Sequence, residues 1–408
     1  MRALRPPDPW QTNSQSSVVA PGLSTPIRPF LSYCQLRYCP SIVVRKSRES
    51  MVLVRREGAL GHLTLNRPEA INAIDLSMVE TLDAALAAWQ LDPGISCVLL
   101  TGAGKRGLCA GGDIVMMRDS IRFGEPQRAR AFWRAEYLLD ARIARYPKPF
   151  VVAMDGIVMG GGVGLASHAG HRLASERLGI AMPEVGIGLH PDCGAAFLLA
   201  AAPGELGTHL TLTGRRVGAA DAVLCGLADR VVSAAALADL PALLRDGSVG
   251  DVLDALPGPA EGALGESELE PQRAWIDEAY RGDSVARILE ALRARPEAAA
   301  TAAAETIETK SPTSLKVSLE ALRRAREMTS LEQCFDQDYR ISTACLADPD
   351  LPEGIRAQVV DKDHEPRWRP AGLAEVGPED VERHFLAVPD ELRLGKGDPR
   401  PSEMGNYS

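Results

Sequence analysis

An α/β architecture is the fold class that this sequence predicts, and two observations carry it. Apolar runs of strand length alternate with longer segments whose apolar residues recur at helical spacing, and glycine-rich turns follow the strand-like runs directly. The chain has 408 residues, 45% apolar and 24% charged, which is ordinary for a globular protein and long enough for a catalytic core with additions. A formal charge of −9 argues against nonspecific nucleic-acid binding. No apolar run approaches the ~20 residues needed to span a bilayer, so no membrane partner is expected. The eight cysteines show neither a C-x-x-C pair nor a Cys/His ligand spacing. That pattern suits a reduced, cytoplasmic setting and gives no support for a metal.

Taken in order, the chain first offers a leader. Residues 1–50 hold seven Lys/Arg against two acids, with seven prolines and many serines. Such a composition builds no core. It reads as an upstream extension, the alternative being a mitochondrial transit peptide, against which the prolines speak. From Met51 the ordered pattern starts. His62-Leu63-Thr64-Leu65-Asn66 alternates at period two, a strand that Arg67-Pro68 stops. Val79, Leu82, Leu86 and Trp89 share one helical face, with Ser77 and Glu80 as a capping box. Cys97–Thr101 is a buried strand, 127–145 a long helix, Phe150–Met154 another strand and Leu178–Met182 a short one. A catalytic core over 51–250 is followed by a helical region over 251–375, in which Ser314–Arg326 and Leu331–Leu346 are amphipathic helices. Trp368 and Pro370 close the ordered part, leaving 376–408 as a tail that frays after about residue 390.

Gly102-Ala103-Gly104-Lys105-Arg106-Gly107 is a literal G-x-G-x-x-G, but no helix opens after its third glycine, so it is not a dinucleotide site. No P-loop, H-E-x-x-H or G-x-S-x-G occurs. Chemistry concentrates instead in Met182–Gly194. There Glu184 and Asp192 ride on a loop of glycines, prolines and apolar residues without a Lys or Arg. Apolar surroundings are how a site keeps one acid ionised and shifts its neighbour. Cys193 is a nucleophile candidate for which the sequence places no histidine base. Two further turns, Ala110-Gly111-Gly112-Asp113 and Gly160-Gly161-Gly162-Val163-Gly164, expose backbone N–H groups that can stabilise an oxyanion, or simply allow close helix packing.

Leu65-Asn66-Arg67-Pro68-Glu69-Ala70-Ile71-Asn72-Ala73, Leu108-Cys109-Ala110-Gly111-Gly112-Asp113 and Gly156-Ile157-Val158-Met159-Gly160-Gly161-Gly162 together resemble the enoyl-CoA hydratase/isomerase (crotonase) superfamily. The resemblance covers about residues 53–370. It implies a spiral of ββα repeats with a helical C-terminal region, and a small-molecule acyl-CoA as partner. It implies an oxyanion hole at the N–H groups of Gly112 and Gly161, with the CoA nucleotide near Asn72 and Cys109–Gly112. No cofactor is implied, CoA being part of the substrate, and a homo-oligomer is left open. Hydratases of the superfamily carry two catalytic glutamates. Here the first of those positions is Gly164, and only the second, Glu184, is an acid.

Gly-Gly-Gly-Val-Gly, Met-Pro-Glu and Ile-Gly-Leu-x-Pro-Asp are similar to 3-hydroxyisobutyryl-CoA hydrolases, as are the segments 310–316, 353–357 and 361–368. The resemblance implies a thioesterase of valine catabolism, with Glu184 and Asp192 catalytic and Glu136, Gly161, Glu184 and Asp192 binding substrate. His190 departs from the aromatic residue usual there, as a pocket wall or as a group that alters the pH response. Asp113 reads as support for its loop, while Arg142, Arg145 and Lys148 are either surface charge or CoA-phosphate contacts. The alternatives are an enoyl-CoA hydratase/isomerase and a non-catalytic acyl-CoA-binding protein. Because residues 1–50 lack core-building composition, a chain beginning at Met51 is expected to keep its activity and melting temperature; calorimetry and a thiol-release assay on the truncated protein check this.

Overall fold

Leucine- and valine-rich runs build nine strands among residues 50–396, the part that the computed structural model describes. They are β1 (Val52–Glu57), β2 (Leu60–Leu65), β3 (Cys97–Gly102), β4 (Gly107–Cys109), β5 (Phe150–Met154), β6 (Ile157–Met159), β7 (His171–Ser175), β8 (Gly179–Ala181) and β9 (Arg230–Val232). The helices up to residue 255 are α1 (Leu76–Leu91), α2 (Ile114–Arg122), α3 (Pro126–Ala144), α4 (Gly161–Ser167), α5 (Ala195–Ala200), α6 (Leu206–Thr213), α7 (Ala219–Leu224), α8 (Ala234–Asp246) and α9 (Val249–Ala255). Beyond them lie α10 (Arg273–Ala279), α11 (Val285–Arg293), α12 (Ala298–Glu308), α13 (Pro312–Ala325), α14 (Leu331–Cys345), α15 (Asp350–Ile355) and α16 (Pro378–Glu382).

Successive strands enter different sheets. One sheet has the order β1-β2-β3-β5-β7-β9, antiparallel only between β1 and β2, and the other is the parallel trio β4-β6-β8. Two strands, one to each sheet, then helix: this is the expected ββα spiral. The long strands are apolar throughout because both faces are covered. Val98, Leu100 and Val152 belong to the main core with residues of α1 and α3, while Leu99, Val151 and Leu173 pack with Leu237, Leu240 and Leu244 of α8. The carboxyl ends of β4, β6 and β8 lie side by side, since Cys109 pairs with Val158 and Met159 with Ala181. The three segments that leave those ends carry Gly112, Gly161 and Glu184. Topology alone therefore brings the three motifs to one place.

Several local expectations are corrected. Asp75, not Ser77, caps α1, its carboxylate accepting from the N–H of Met78. Order does not close at Trp368–Pro370. Residues 376–396 fold back, with Phe385, Leu392 and Leu394 buried, Tyr339 donating to Asp390 at 2.7 Å and Arg340 paired with Glu391 at 2.6 Å. The helical region docks on the core, α13 against α5 and α6 and α14 against α3.

Asn72 turns out to be a clamp. It is fully buried in the left-handed region (φ 56°), and its amide faces the carbonyls of Ala103, Gly107 and Leu108 at 3.0–3.1 Å while its oxygen accepts from the N–H of Arg67 at 2.9 Å. Asparagine tolerates that backbone and serves all four partners. Asn72→Ala strands those buried groups and is expected to cost about 2–4 kcal/mol, read as a lower denaturation midpoint.

Candidate active site

Glycines on α4 let α3 come close enough to bury acids against it. A Cβ at Gly161 would lie 2.0 Å from Glu136 Oε1, and one at Gly164 would lie 2.4 Å from Asp140 Oδ2. Glu136 and Asp140 are four residues apart on α3, hence on one face, and Gly161 and Gly164 make the matching face of α4. The space beside each glycine is taken by a carboxylate from the neighbouring helix.

Two N–H groups point into the space in front of these acids. Gly112 bridges Ile74 through its neighbours: Ile74 N–H donates to Gly111 and Asp113 N–H donates to Ile74. In a parallel bridge the central residue's own N–H faces the other way, which here is the cavity. Gly161 is the first residue of α4, so its N–H has no acceptor within the helix. Gly160 turns the chain into that helix at φ 53°, a conformation that suits glycine. The cavity, about 320 Å³, is lined by Gly112, Gly161, Glu136, Glu184, Asp192 and Lys310 among others.

Charge is unbalanced there. Glu136, Glu184 and Asp192 are each at most 5% exposed, Asp140 and Asp338 are fully buried nearby, and among the described residues Lys310 is the one cation in the cavity wall. Burial, then the Asp192 charge, holds Glu184 well above the usual carboxylate range. Burial and the charges of Asp192, Asp140 and Glu184 do the same to Glu136, and burial with Asp192 and Asp338 to Asp140. Asp192 is pushed up only to about 6, because Tyr137 donates a 2.6 Å hydrogen bond to its Oδ2 and opposes the effect of burial. Asp192 is thus the acid that ionises first, and burial together with its charge favours the protonated forms of Glu136, Asp140 and Glu184.

The predicted residues Gly112, Gly161, Glu136, Glu184 and Asp192 all meet at this cavity. Others lie elsewhere. His190 is not a wall: it is fully buried behind the loop, near Asp338 and Ser342 of α14, and burial lowers its pKa to about 3, so it does not titrate near neutrality. Cys193 sits among the acids, and burial followed by Asp192, Glu136 and Asp140 holds its thiol far from ionisation, which removes it as a nucleophile. Asp113 caps α2 and pairs with Arg67 at 3.0 Å, as a supporting residue should. Arg142 pairs with Asp83 and Arg145 with Glu332, and Lys148 donates to the carbonyls of Trp89 and Asp92, so all three hold protein together.

Sequence reasoning missed Asp140, Tyr137 and Lys310. The i, i+4 spacing of Glu136 and Asp140 could have flagged the first. Glu136, Asp192 and Cys193 place donor atoms within 4.8 Å of one another, as do Cys345, Asp348 and His384. The first trio shares its acids with the cavity. In the second, His384 faces the Asp380 carbonyl and the Asp348 carboxylate, which also pairs with Arg383.

Fold and site together define an acyl-thioester enzyme of the crotonase class: a helical spiral with paired backbone N–H groups opposite buried carboxylates. The profile of the enoyl-CoA hydratase/isomerase family matches residues 60–385. The 3-hydroxyisobutyryl-CoA hydrolases, mitochondrial, of Danio rerio and Homo sapiens are each 36% identical. The first aligns over 89% of this chain and 97% of its own length, the second over 83% and 89%. The chain belongs to the enoyl-CoA hydratase/isomerase family, together with the 3-hydroxyisobutyryl-CoA hydrolases. Among solved structures, a carnitinyl-CoA dehydratase from Mycobacterium thermoresistibile superposes with a TM-score of 0.79 at 48% identity, covering 85% of this chain and 99% of that one. An enoyl-CoA hydratase from Rhodobacter sphaeroides gives 0.78 at 40%, covering 83% and 98%.

A methyl at residue 164 would meet both Asp140 and the Cβ of Cys193, whereas one at Gly218 meets nothing within 4 Å. Gly164→Ala is expected to cost about 1–3 kcal/mol by overpacking and to lower turnover through the displaced Cys193–Asp192 segment. Gly218→Ala, measured beside it by denaturation and kinetics, should match the parent protein.

Proposed function

We propose that this protein hydrolyses the thioester of a short β-hydroxyacyl-CoA, 3-hydroxyisobutyryl-CoA, to 3-hydroxyisobutyrate and CoA, a step of valine breakdown. The observation that carries the reading is the distribution of acids. Both cavity acids outside α3, Glu184 and Asp192, stand on one loop, and the glycine turn of α4 has no acid and no room for one, because Asp140 fills the space beside Gly164. The hydrolase relatives support the same substrate.

In this mechanism the thioester oxygen accepts from the N–H groups of Gly112 and Gly161, and each such donor contributes roughly 10²–10³ in rate by stabilising the oxyanion. Asp192, ionised at neutral pH, takes a proton from the attacking water as its oxygen bonds to the acyl carbon. The oxyanion collapses, the C–S bond breaks, and Glu184 gives its proton to the departing sulfur. The proton on Asp192 then returns to Glu184, restoring the resting site. Glu136, whose Oε1 has no protein partner, receives the β-hydroxyl of the substrate.

The second reading, hydration of an enoyl-CoA, is favoured by the names of the two solved structures. Free-thiol release against loss of enoyl absorbance separates the two. A non-catalytic acyl-CoA binder has no use for buried acids kept at such cost. Among the described residues no helix is long and apolar enough to cross a membrane. The hydrolase relatives are named as mitochondrial. Residues 1–50, which lie almost wholly outside the described part, are where this chain would carry the same address, and cytoplasmic residence is the reading without it.

Glu184→Gln keeps the shape and removes the transferable proton. Thiol release from 3-hydroxyisobutyryl-CoA is expected to fall by about 10²–10⁴-fold with little change in substrate affinity. Parent-like turnover would defeat the assignment.

A further inference from the structure

A chain of hydrogen bonds leads away from Asp192 into the protein, and none of its other members lines the cavity. Tyr137 Oη lies 2.6 Å from Asp192 Oδ2 and 2.8 Å from Ser342 Oγ, and Ser342 Oγ lies 3.4 Å from His190 Nε2. His190 Nδ1 stands 4.0 Å from Asp338 Oδ1, and Asp338 Oδ2 accepts the Gly194 N–H at 2.8 Å. Tyr137, Ser342, His190 and Asp338 are each no more than 1% exposed.

The proton order follows from counting hydrogens. Tyr137 has one, and an ionised Asp192 takes it. The tyrosine oxygen must then accept from the Ser342 hydroxyl, whose oxygen in turn accepts from His190 Nε2–H. His190 is thereby the neutral Nε2–H tautomer, and its Nδ1 lone pair faces the Asp338 carboxyl, whose protonated form burial favours. Asp338 and Ser342 are one helical turn apart on α14, so a single face of that helix grips residues 190–194 at both ends.

Resting on the reading that Asp192 acts in the reaction, we propose that Tyr137, Ser342 and His190 form a buried relay that fixes both the orientation and the proton of Asp192. They are positioning residues. With Asp192 ionised, every hydrogen in the chain points toward it. Protonating Asp192 leaves a weaker, uncharged acceptor in place of the carboxylate oxygen that sets this order, so the relay favours the carboxylate. Of the other groups that face Asp192, the carboxyls of Glu136 and Asp140 on α3, Glu184 on its own loop and Asp338 on α14 act against the carboxylate, while the Cys193 thiol and a backbone N–H on its own loop support it through weaker hydrogen bonds than that of Tyr137.

The test compares pH–rate profiles of thiol release for the full chain and for Tyr137→Phe, Ser342→Ala, His190→Leu and His190→Gln, with melting curves for each. Tyr137→Phe keeps the ring, so its acidic limb should move up by about one unit from that of the parent while the melting temperature changes little. Ser342→Ala and His190→Leu should move it by less in the same direction. His190→Gln, which still offers an N–H, should restore most of the parent profile. Limbs that coincide in all variants would overturn the relay. Carboxyl titration by ¹³C NMR, with Asp192→Asn identifying the Asp192 resonance, gives a readout independent of turnover. If Tyr137→Phe raises that titration but no variant nor the parent releases thiol, the relay stands and the hydrolase reading falls. An unmoved resonance overturns the relay whatever the activity.

Discussion

The contact between α3 and α4 is the constraint from which the site follows. Two glycines one turn apart, Gly161 and Gly164, leave a bare strip of backbone, and Glu136 and Asp140 fill it. Because no side chain covers the start of α4, its first N–H reaches the cavity. Because α3 lies so close, its carboxylates are buried rather than solvated. A bare backbone N–H at the cavity and an acid cluster are thus two consequences of one packing choice.

Burying this many acids beside a single lysine is expensive, since each charge loses its hydration. Burial therefore favours the protonated form of most of them. One acid escapes that outcome. Asp192 has a hydroxyl aimed at it, and a hydrogen bond to the ionised form is worth most where water is absent. Lys310, its own pKa lowered by burial, stands at the wall with no carboxylate partner among the described residues. The result is a site whose acids differ in how readily they ionise, set by burial and by which of them a hydroxyl faces.

α14 shows why the helical region is part of the site and not an appendage. Its residues Asp338 and Ser342 hold the loop that bears Asp192, and Tyr339 and Arg340 on the same helix tie down the segment around Asp390 and Glu391. The segment around residues 390–391 therefore braces the helix that braces the loop of Glu184 and Asp192. His190 belongs to this layer: its location behind the loop gives a histidine there a structural sense that its neighbours in sequence do not suggest.

Local chemistry made much of this readable from the residues alone. Period-two and helical spacing located β2, β3, β5 and α3 to within a residue or two, composition marked the loop of Glu184 and Asp192 and the two glycine-rich turns, and the family resemblance singled out Gly112 and Gly161 within those turns. These signals are local, and a strand or a glycine turn is dictated by its own few residues. What lay beyond reach was everything set by approach between distant segments. Asn72 looked like a ligand contact until its four backbone partners were seen, and the tail beyond residue 376 looked unstructured until it met α3 and α14. The loop of Glu184 and Asp192 could be marked as acidic and apolar, but which of the two keeps its charge depends on Tyr137, 55 residues earlier in the chain. A proton follows burial and hydrogen bonds, and those exist only once the chain has folded.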